Sequence, residues 1–252
     1  MKSNERGQLS FVTCASNLDV LGARLLSSPC LGAGGYPLAV YFNAPSAAHG
    51  FNAAMLAEQA KSRDEPAGGS WLVWVHQDVV LPLGWDAVFG QALTTAQQAF
   101  PQLAVAGVYG LAGAGTLARR AGHVLDRGKL LREATPMPCR ADSLDELLFA
   151  VRIDTGLQLD PALGFDFYAT DLVLQAQTQG WQCAVLDAFC EHWSGTPASG
   201  AIPKAVVERV QSSAAVFERK WAQRLPITTP CFDIARPGDV AAFLASIALQ
   251  TL

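Results

Sequence analysis

A histidine and an aspartate stand two residues apart in the segment "WLVWVHQDVVLPLGW", directly after an apolar run. If the chain is extended there, alternate side chains share a face, so His76 and Asp78 point the same way. An imidazole and a carboxylate on one face can bind a divalent cation. Carboxylate favours Mg²⁺ or Mn²⁺, and imidazole shifts the preference towards transition metals. The alternative interpretation is structural: His76 satisfies a buried carbonyl group, and Asp78 caps the following turn.

Two other residues have types and positions that suit a site. Asp171 falls in the first turn of a predicted helix. A carboxylate there either interacts favourably with the helix dipole or, at the edge of a cleft, accepts a proton. His192 follows a short predicted strand, on a loop that contains glycine and serine. It is either an ordinary surface residue or a third metal ligand.

The elements that must position these residues follow an alternating pattern. Strand-like apolar runs alternate with helical patterns over residues 46–61 and 85–100, and the runs are "LSFVTCAS", "LAVYFNA", "WLVWV" and "LAVAGVYG". This alternation predicts βαβ units and a mainly parallel sheet. Apolar runs without polar alternation predict strands covered on both faces. His76 and Asp78 then lie beyond the carboxyl end of the third strand, where open α/β sheets bind ligands.

The second half of the chain is less regular. Residues 110–140 show no steady period, and we predict an irregular excursion there. After this excursion the sequence predicts five further segments: a strand at "LLFAVRI", a helix over 167–179, a short strand "CAVLDAF", a loop "EHWSGTPASG" and an amphipathic helix over 203–224. We therefore expect one α/β domain over residues 1–200 and a helical C-terminal extension over 201–252 packed on the same domain.

Composition excludes several classes of protein. The chain has 252 residues, half of them hydrophobic, 16% charged, and a net charge of −4. That balance supports a large core and offers no clustered basic face for nucleic acid. The six cysteines form no CxxC pair, which argues against a zinc ribbon or a thioredoxin-type site. No run is long and apolar enough for an integral membrane segment. We expect a cytoplasmic protein, with peripheral contact at the inner membrane face through "FLASIALQTL" as an alternative.

An ordered set of motifs resembles the family-2-like glycosyltransferases, which are nucleotide-sugar-dependent enzymes of the GT-A fold. The likeness runs from about Leu9 to Gly195 and is nearest to a subgroup with "HQD" in place of the two-aspartate motif. The motifs are "FVTCASN", "VYFNAPS", "GFNAAMLAEQA", "WLVWVHQD", "SLDELLFAVR", "GFDFYATDLVLQAQTQGW" and "CEHWSG". The resemblance implies a GT-A-like, Rossmann-like α/β fold with a mixed, mainly parallel sheet flanked by helices.

The resemblance also implies roles for matching residues. Asp78 looks like the last carboxylate of the motif that binds the metal on the donor diphosphate, with His76 in the place of its first aspartate. His192 is similar to a late histidine that completes the metal shell. Asp171 looks like the catalytic base of inverting members.

Further matching positions lie around the expected nucleotide-sugar cleft. Ser16, Asn17 and Asn43 follow the first two strands, where the family holds the nucleoside. Asn52 matches an asparagine near the nucleotide cleft, although it also fits an ordinary helix position. The donor-sugar pocket of the family corresponds to Asp145 and Glu146. Trp193 is an aromatic candidate for stacking on sugar or base.

These implications combine into one hypothesis. The protein would transfer a sugar from a nucleotide-diphosphate donor to a glycan or small-molecule acceptor, with Mn²⁺ or Mg²⁺ and with inversion. A non-catalytic relative that binds nucleotide or glycan, a nucleotidyltransferase and a metal hydrolase are the alternatives. The sequence leaves the nucleotide base, the donor sugar, the acceptor and the oligomeric state open, a homodimer included.

Overall fold

The computed structural model describes residues 9–32, 35–64, 69–194 and 202–250. The motif glycine Gly195, most of the predicted loop after it and the first residue of the extension lie outside this range. Six α-helices occur in the described part of the chain: α1 Leu18–Ala23, α2 Ala47–Asp64, α3 Trp85–Ala99, α4 Tyr168–Thr178, α5 Lys204–Lys220 and α6 Asp239–Gln250. The strands are β1 Leu9–Ala15, β2 Leu38–Phe42, β3 Trp71–Val75, β4 Val79–Val80, β5 Leu103–Gly107, β6 Tyr109–Ala112, β7 Arg119–Asp126, β8 Lys129–Arg132, β9 Cys139–Arg140, β10 Ser143–Leu144, β11 Leu148–Arg152, β12 Gln182–Val185, β13 Cys190–His192, β14 Ile227–Thr228 and β15 Asp233–Ile234.

The large sheet has the order β2-β1-β3-β11-β5-β12-β9. Strands β1, β2, β3, β5 and β12 run in one direction, while β11 and β9 run against them. The predicted fold class, a mixed and mainly parallel sheet flanked by helices, is therefore confirmed. Because β1 lies between β2 and β3, the chain order reverses there, and the crevice beyond these carboxyl ends is where such sheets bind ligands.

Both faces of this sheet are buried along the central strands β1, β3, β11 and β5, as the continuous apolar runs predict, whereas the edge strand β2 leaves Val40 and Phe42 exposed. Along β3, Trp71, Val73 and Val75 belong to one core cluster and Leu72 and Trp74 to the other. The α3 helix packs its apolar side chains into the first cluster, and α2 and α4 pack into the second. Burying apolar side chains on both faces stabilises the sheet by about 25 cal/mol per Å² of apolar surface removed from water.

A second sheet forms where the sequence predicted irregular structure. Its order is β10-β6-β7-β13-β4, with β8 paired to β7, so residues 110–140 are mostly strands and turns rather than an irregular excursion. The β7 and β8 strands form a hairpin through Arg127 and Gly128, whose φ values of 50° and 78° fit a two-residue turn with both residues left-handed. Apart from β7, the strands of this sheet have four residues or fewer, which explains why no period was visible over the whole stretch.

The C-terminal residues form a unit of two helices and a small hairpin. The α5 and α6 helices and the β14–β15 pair share a third core cluster with Leu163, Phe167 and Leu174 of the preceding segment. The extension is thus helical with one added hairpin, and its apolar residues pack against the segment that leads into α4. None of the helices in the described part of the chain is long and apolar enough to cross a membrane.

Candidate functional site

His76, Asp78 and His192 come together beyond the carboxyl end of β3. After Val75 the backbone of His76 still donates to Leu147 O at 2.9 Å, and the chain then turns into β4. The β13 strand pairs antiparallel with β4, which places His192 opposite Val79. His192 was predicted on a loop, but it ends a strand, because its neighbours bond to β4 and to β7. Strand pairing therefore fixes the third residue of the cluster beside the first two.

The three side chains offer ligand atoms that all lie within 4.8 Å of one another. Asp78 Oδ1 is 3.4 Å from His192 Nε2 and 4.0 Å from His76 Nδ1. These distances leave room for an ion between the three atoms. Within the described part of the chain this is the one group of three or more His, Cys, Asp or Glu side chains arranged in this way.

Each imidazole is oriented by a hydrogen bond from its other nitrogen. His192 Nδ1 lies 2.9 Å from Asp126 Oδ1, and His76 Nε2 lies 2.8 Å from Tyr168 Oη. Such outer partners set the ring orientation and the tautomer of histidine ligands. The nitrogens left facing the cluster are His192 Nε2 and His76 Nδ1.

His192 Nε2 is buried and has no hydrogen-bond partner. The Asp78 carboxylate is close enough for an ionic contact but is not aligned to accept a hydrogen bond from this nitrogen. A buried polar atom without a partner is costly in a folded protein and calls for an explanation. A bound cation at this position would supply the missing partner, so the residues present fit a metal.

The two histidines of the cluster have pKa shifts in opposite directions. Burial, and then the neighbouring His192, lower the pKa of His76 to about 4, so this ring is neutral and free to bind an ion. Burial opposes charge on His192 too, but its contacts with the carboxylates of Asp126 and Asp78 raise its pKa to about 9. The His192 contact holds the pKa of Asp78 below its usual value despite burial. The His192 hydrogen bond is the main cause of the lowered pKa of Asp126. Metal binding would therefore displace one proton from His192.

Two cavities meet at this cluster. The first, here called the strand-end cavity, has a volume of about 500 Å³ and lies at the ends of β1, β2 and β3. The second, here called the carboxylate cavity, has a volume of about 370 Å³ and is lined by Asp126, Asp145, Glu146 and Asp166 among others. Among the described lining residues, His76 and Arg209 belong to both cavities. Volumes in this range suit a small-molecule ligand.

Gln77 joins the ends of β1 and β3 at the strand-end cavity. Its side-chain oxygen accepts from the backbone N–H groups of Ser16 at 3.0 Å and Asn17 at 3.1 Å, and its amide donates to Ser16 Oγ. Ser16 and Asn43 line the cavity. The Asn17 side chain instead caps α1, accepting from the N–H groups of Asp19 and Val20. The middle residue of "HQD" thus shapes the cavity floor.

Asn52 and Trp193 lie outside both cavities. The Asn52 side chain donates a hydrogen bond to the C=O of Leu159 and accepts one from its N–H. These two bonds hold α2 against the segment that contains Leu159. The guanidinium carbon of Arg24 lies 4.4 Å from the centroid of the Trp193 ring. The indole N–H of Trp193 donates to the carboxylate of Glu191. As with Asn17, these structural contacts use the side chains that were predicted to face the nucleotide-sugar cleft.

Asp145 and Glu146 line the carboxylate cavity next to the cluster. Asp145 Oδ1 accepts from the N–H of Leu147 at 3.0 Å. Burial, and then the nearby carboxylates of Asp166 and Asp145, raise the pKa of Glu146 well above its usual value. Glu146 is thus a buried carboxyl group beside a cavity, and no ion pair holds it among the described residues.

The structure does not bring Asp171 to the cluster. Its side chain is fully buried, pairs with Lys220 Nζ at 2.8 Å, and accepts from Trp221 Nε1 at 2.7 Å and Gln175 Nε2 at 2.6 Å. It lines neither cavity. Asp171 is therefore buried against the C-terminal end of α5, where Lys220 and Trp221 bind its carboxylate, and not at the cluster where a catalytic base was expected.

Three residues of the site were missed by sequence reasoning. Asp126 is the outer partner of His192, and its signal was the "DRGK" hairpin turn that follows it. Tyr168 orients His76 and lies in the quoted motif "GFDFYATDLVLQAQTQGW", but no role as the partner of His76 was assigned to it. Arg209 belongs to the extension, outside the resemblance, and no local pattern separates it from other helix-surface arginines.

Comparisons with known proteins give one related sequence. A protein of Fuscovulum blasticum described as ATP synthase subunits region ORF 6 is 29% identical over 163 residues, which cover 61% of this chain and 61% of that protein. The chain thus spans less than two thirds of that relative's length. No family model matches the sequence.

Two solved structures show partial similarity. A197 from STIV aligns with a TM-score of 0.42 and 12% identity, over 72% of this chain and 82% of that one. The inositol-1-phosphate CTP transferase from T. maritima aligns with a TM-score of 0.33 and 14% identity, over 82% of this chain and 77% of that one. Similarity at this level does not indicate a function, so the function has to be inferred from the chemistry of the site.

Proposed function

We propose that this protein is a metal-dependent transferase of the glycosyltransferase type, which moves a sugar from a nucleoside-diphosphate donor to an acceptor hydroxyl group. The observation that carries the proposal is the position of the His76–Asp78–His192 cluster. It lies at the switch point of a mainly parallel sheet, where two cavities of ligand size meet, and His76 lines both of them. A reaction that joins two substrates needs such a shared boundary.

The metal-binding residues would be His76, Asp78 and His192. A donor set of two imidazoles and one carboxylate favours Mn²⁺ over Mg²⁺, since Mg²⁺ prefers oxygen ligands. When bound, the ion stabilises the negative charge of a diphosphate leaving group. The nucleotide would occupy the strand-end cavity, with Ser16 and Asn43 at its wall and Gln77 at its floor.

The acceptor would enter the carboxylate cavity. Glu146 is the group we assign to take the proton of the acceptor hydroxyl, because it lines that cavity and its raised pKa makes it a stronger base than an ordinary carboxylate. One base and one displacement invert the configuration at the anomeric carbon. Asp145 bonds the backbone N–H of Leu147 in the same loop and holds the Glu146 segment in place.

Ligand-dependent stability tests the binding half of this proposal. Thermal unfolding is measured with UDP, GDP, CDP and dTDP, each with and without Mn²⁺. One nucleotide should stabilise the wild type in a Mn²⁺-dependent manner, by about 2.7 kcal/mol at a hundredfold excess over its dissociation constant. Asp78→Ala should lose this shift, because it removes the carboxylate ligand. Asp154→Ala removes an exposed carboxylate that pairs with Arg152, and it should keep the shift.

Turnover tests the catalytic half. Glu146→Gln should keep nucleotide binding and lose about 100-fold or more in the rate of Mn²⁺-dependent sugar release from the donor. The anomer released first, followed by NMR before mutarotation, reports inversion or retention. Nucleotide binding without turnover of any donor would favour the non-catalytic relative. No Mn²⁺-dependent binding of any nucleotide would contradict the proposal.

A further inference from the structure

Arg209 is a cation at the boundary between the two cavities. It lies on α5, in the C-terminal unit, and its side chain lines both the strand-end cavity and the carboxylate cavity. Nearly half of the side chain, 48%, is exposed, so the guanidinium is accessible to a ligand. Among the described residues that line the strand-end cavity, Arg209 is the one lysine or arginine.

Its guanidinium is held in a fixed orientation by Asp166. Arg209 Nε donates to Asp166 Oδ2 at 2.9 Å, and Nη2 donates to Oδ1 at 3.0 Å, which is a two-bond pair. The Asp166 side chain is 12% exposed, and its Oδ2 also accepts from Ser213 Oγ at 3.3 Å. A buried carboxylate thus fixes a partly exposed guanidinium. The N–H groups of Arg209 that Asp166 does not use are held in one orientation, so they lose little conformational freedom when they bind an anion.

The charges of the site leave a role for a second cation. One divalent ion that already shares its charge with Asp78 does not neutralise a diphosphate, and the leaving group becomes more negative as the sugar–phosphate bond breaks. Arginine matches phosphate oxygens with two parallel N–H groups. In the carboxylate cavity the other arginine, Arg127, is engaged with Asp126 at 3.0 Å.

We propose that Arg209 binds the diphosphate of the donor at the boundary of the two cavities and holds it beside the His76–Asp78–His192 cluster. This inference rests on the proposed function and adds a phosphate-binding residue that comes from the C-terminal unit. A purely structural role, in which Arg209 only fastens α5 to Asp166, is the competing explanation.

Binding measurements separate the two explanations. Calorimetry with Mn²⁺-saturated protein gives dissociation constants for inorganic pyrophosphate and for the nucleoside diphosphate that binds best among UDP, GDP, CDP and dTDP. Arg209→Gln should weaken both by about 10- to 100-fold, which is the expected loss of hydrogen bonds to a charged group. Arg209→Lys keeps the charge but not the fork, and should fall between wild type and Arg209→Gln. The affinity for Mn²⁺ alone should stay within about threefold of wild type, since Arg209 is not a ligand of the cluster.

Lys220→Met is the matched control. Lys220 is a second cation of α5, it pairs with Asp160 and Asp171, and it lines neither cavity. This variant should lose stability and keep the affinity for pyrophosphate. Should Arg209→Gln fail to fold, Arg209→Lys carries the same comparison.

Each outcome decides between the proposals. If Arg209→Gln and Arg209→Lys bind both probes as the wild type does, the Arg209 inference is wrong and the transferase proposal stands. If the wild type binds Mn²⁺ and pyrophosphate in an Arg209-dependent manner but no nucleoside diphosphate, the phosphate role stands and the transferase proposal fails. If the wild type binds neither probe, both are overturned.

Discussion

Glu146 is a carboxyl group whose ionisation the fold opposes. Burial raises its pKa well above the usual value of 4.5, and the carboxylates of Asp166 and Asp145 add to the effect, against the opposing charge of Arg209. Below pH ~4.5 the folded and unfolded states both carry the proton. Above that pH the unfolded state ionises first, so the free energy of unfolding falls as pH rises, until the folded state also loses its proton.

Glu146→Gln should remove this penalty. Without metal, in the presence of EDTA, the variant should match the wild type near pH ~4 and be more stable than the wild type near neutral pH. Urea unfolding at several pH values between these limits gives the two curves. Glu208→Gln changes a side chain that is 61% exposed, so its curve of unfolding free energy against pH should run parallel to that of the wild type. A Glu146→Gln curve parallel to the wild type would contradict the buried state of this carboxyl group.

At the scale of elements, the β7–β8 hairpin holds one of the ligands indirectly. The hairpin turn at Arg127 and Gly128 directly follows Asp126, which bonds His192 Nδ1. The backbone of Arg127 also donates to His192 O at 3.0 Å. The turn therefore sets the position of the outer partner that orients a metal-binding imidazole.

Gly128→Ala should disturb this arrangement through the backbone alone. A Cβ at Gly128 would meet no atom within 4 Å, but φ is 78°, so the change costs about 1 kcal/mol of stability. Because the turn positions Asp126, Mn²⁺ affinity should fall, by up to about tenfold. Gly180→Ala is a matched control, since φ is 84° and the space is equally open, at the end of α4. It should cost similar stability and leave Mn²⁺ affinity unchanged, as calorimetry would show.

At the scale of the whole molecule, the C-terminal unit completes the site. It contributes Arg209 to both cavities, and Val206, Val210 and Phe232 to the wall of the carboxylate cavity. Asp171 of α4 fastens this unit through Lys220 and Trp221 at the end of α5. A fully buried carboxylate with three donors is a structural anchor between two parts of the fold.

Asp171→Ala should therefore act on stability. The change leaves the Trp221 N–H without its acceptor and removes one of the two carboxylates that pair with Lys220, which keeps Asp160, at a cost of about 2 kcal/mol. Denaturant unfolding measures this loss, and Asp171→Asn, which keeps an acceptor oxygen, should lose less. Mn²⁺ affinity of the folded variant should match the wild type. Wild-type stability together with loss of turnover would instead restore Asp171 as a catalytic base.

The sequence by itself determined which segments form most strands of the large sheet, and it placed one end of the site. Apolar runs and helical periods are local properties, so they predicted β1, β2, β3 and β5 and the helices that cover them. The placement of His76 and Asp78 beyond the end of β3 followed from the same local pattern. The "DRGK" turn was also local, and it was missed because the residues around it show no steady apolar period.

Only the tertiary structure decided which of these residues meet. Asp126 and His192 are 66 positions apart, and Asp166 and Arg209 are 43 apart, so nothing in either local segment predicts the pairing. The first turn of a helix can face a cleft or the core, and the contacts of Asp171 with Lys220 and Trp221 place it in the core. Local periodicity reports which face of an element is apolar, whereas the partner of a polar side chain depends on which distant element covers that face.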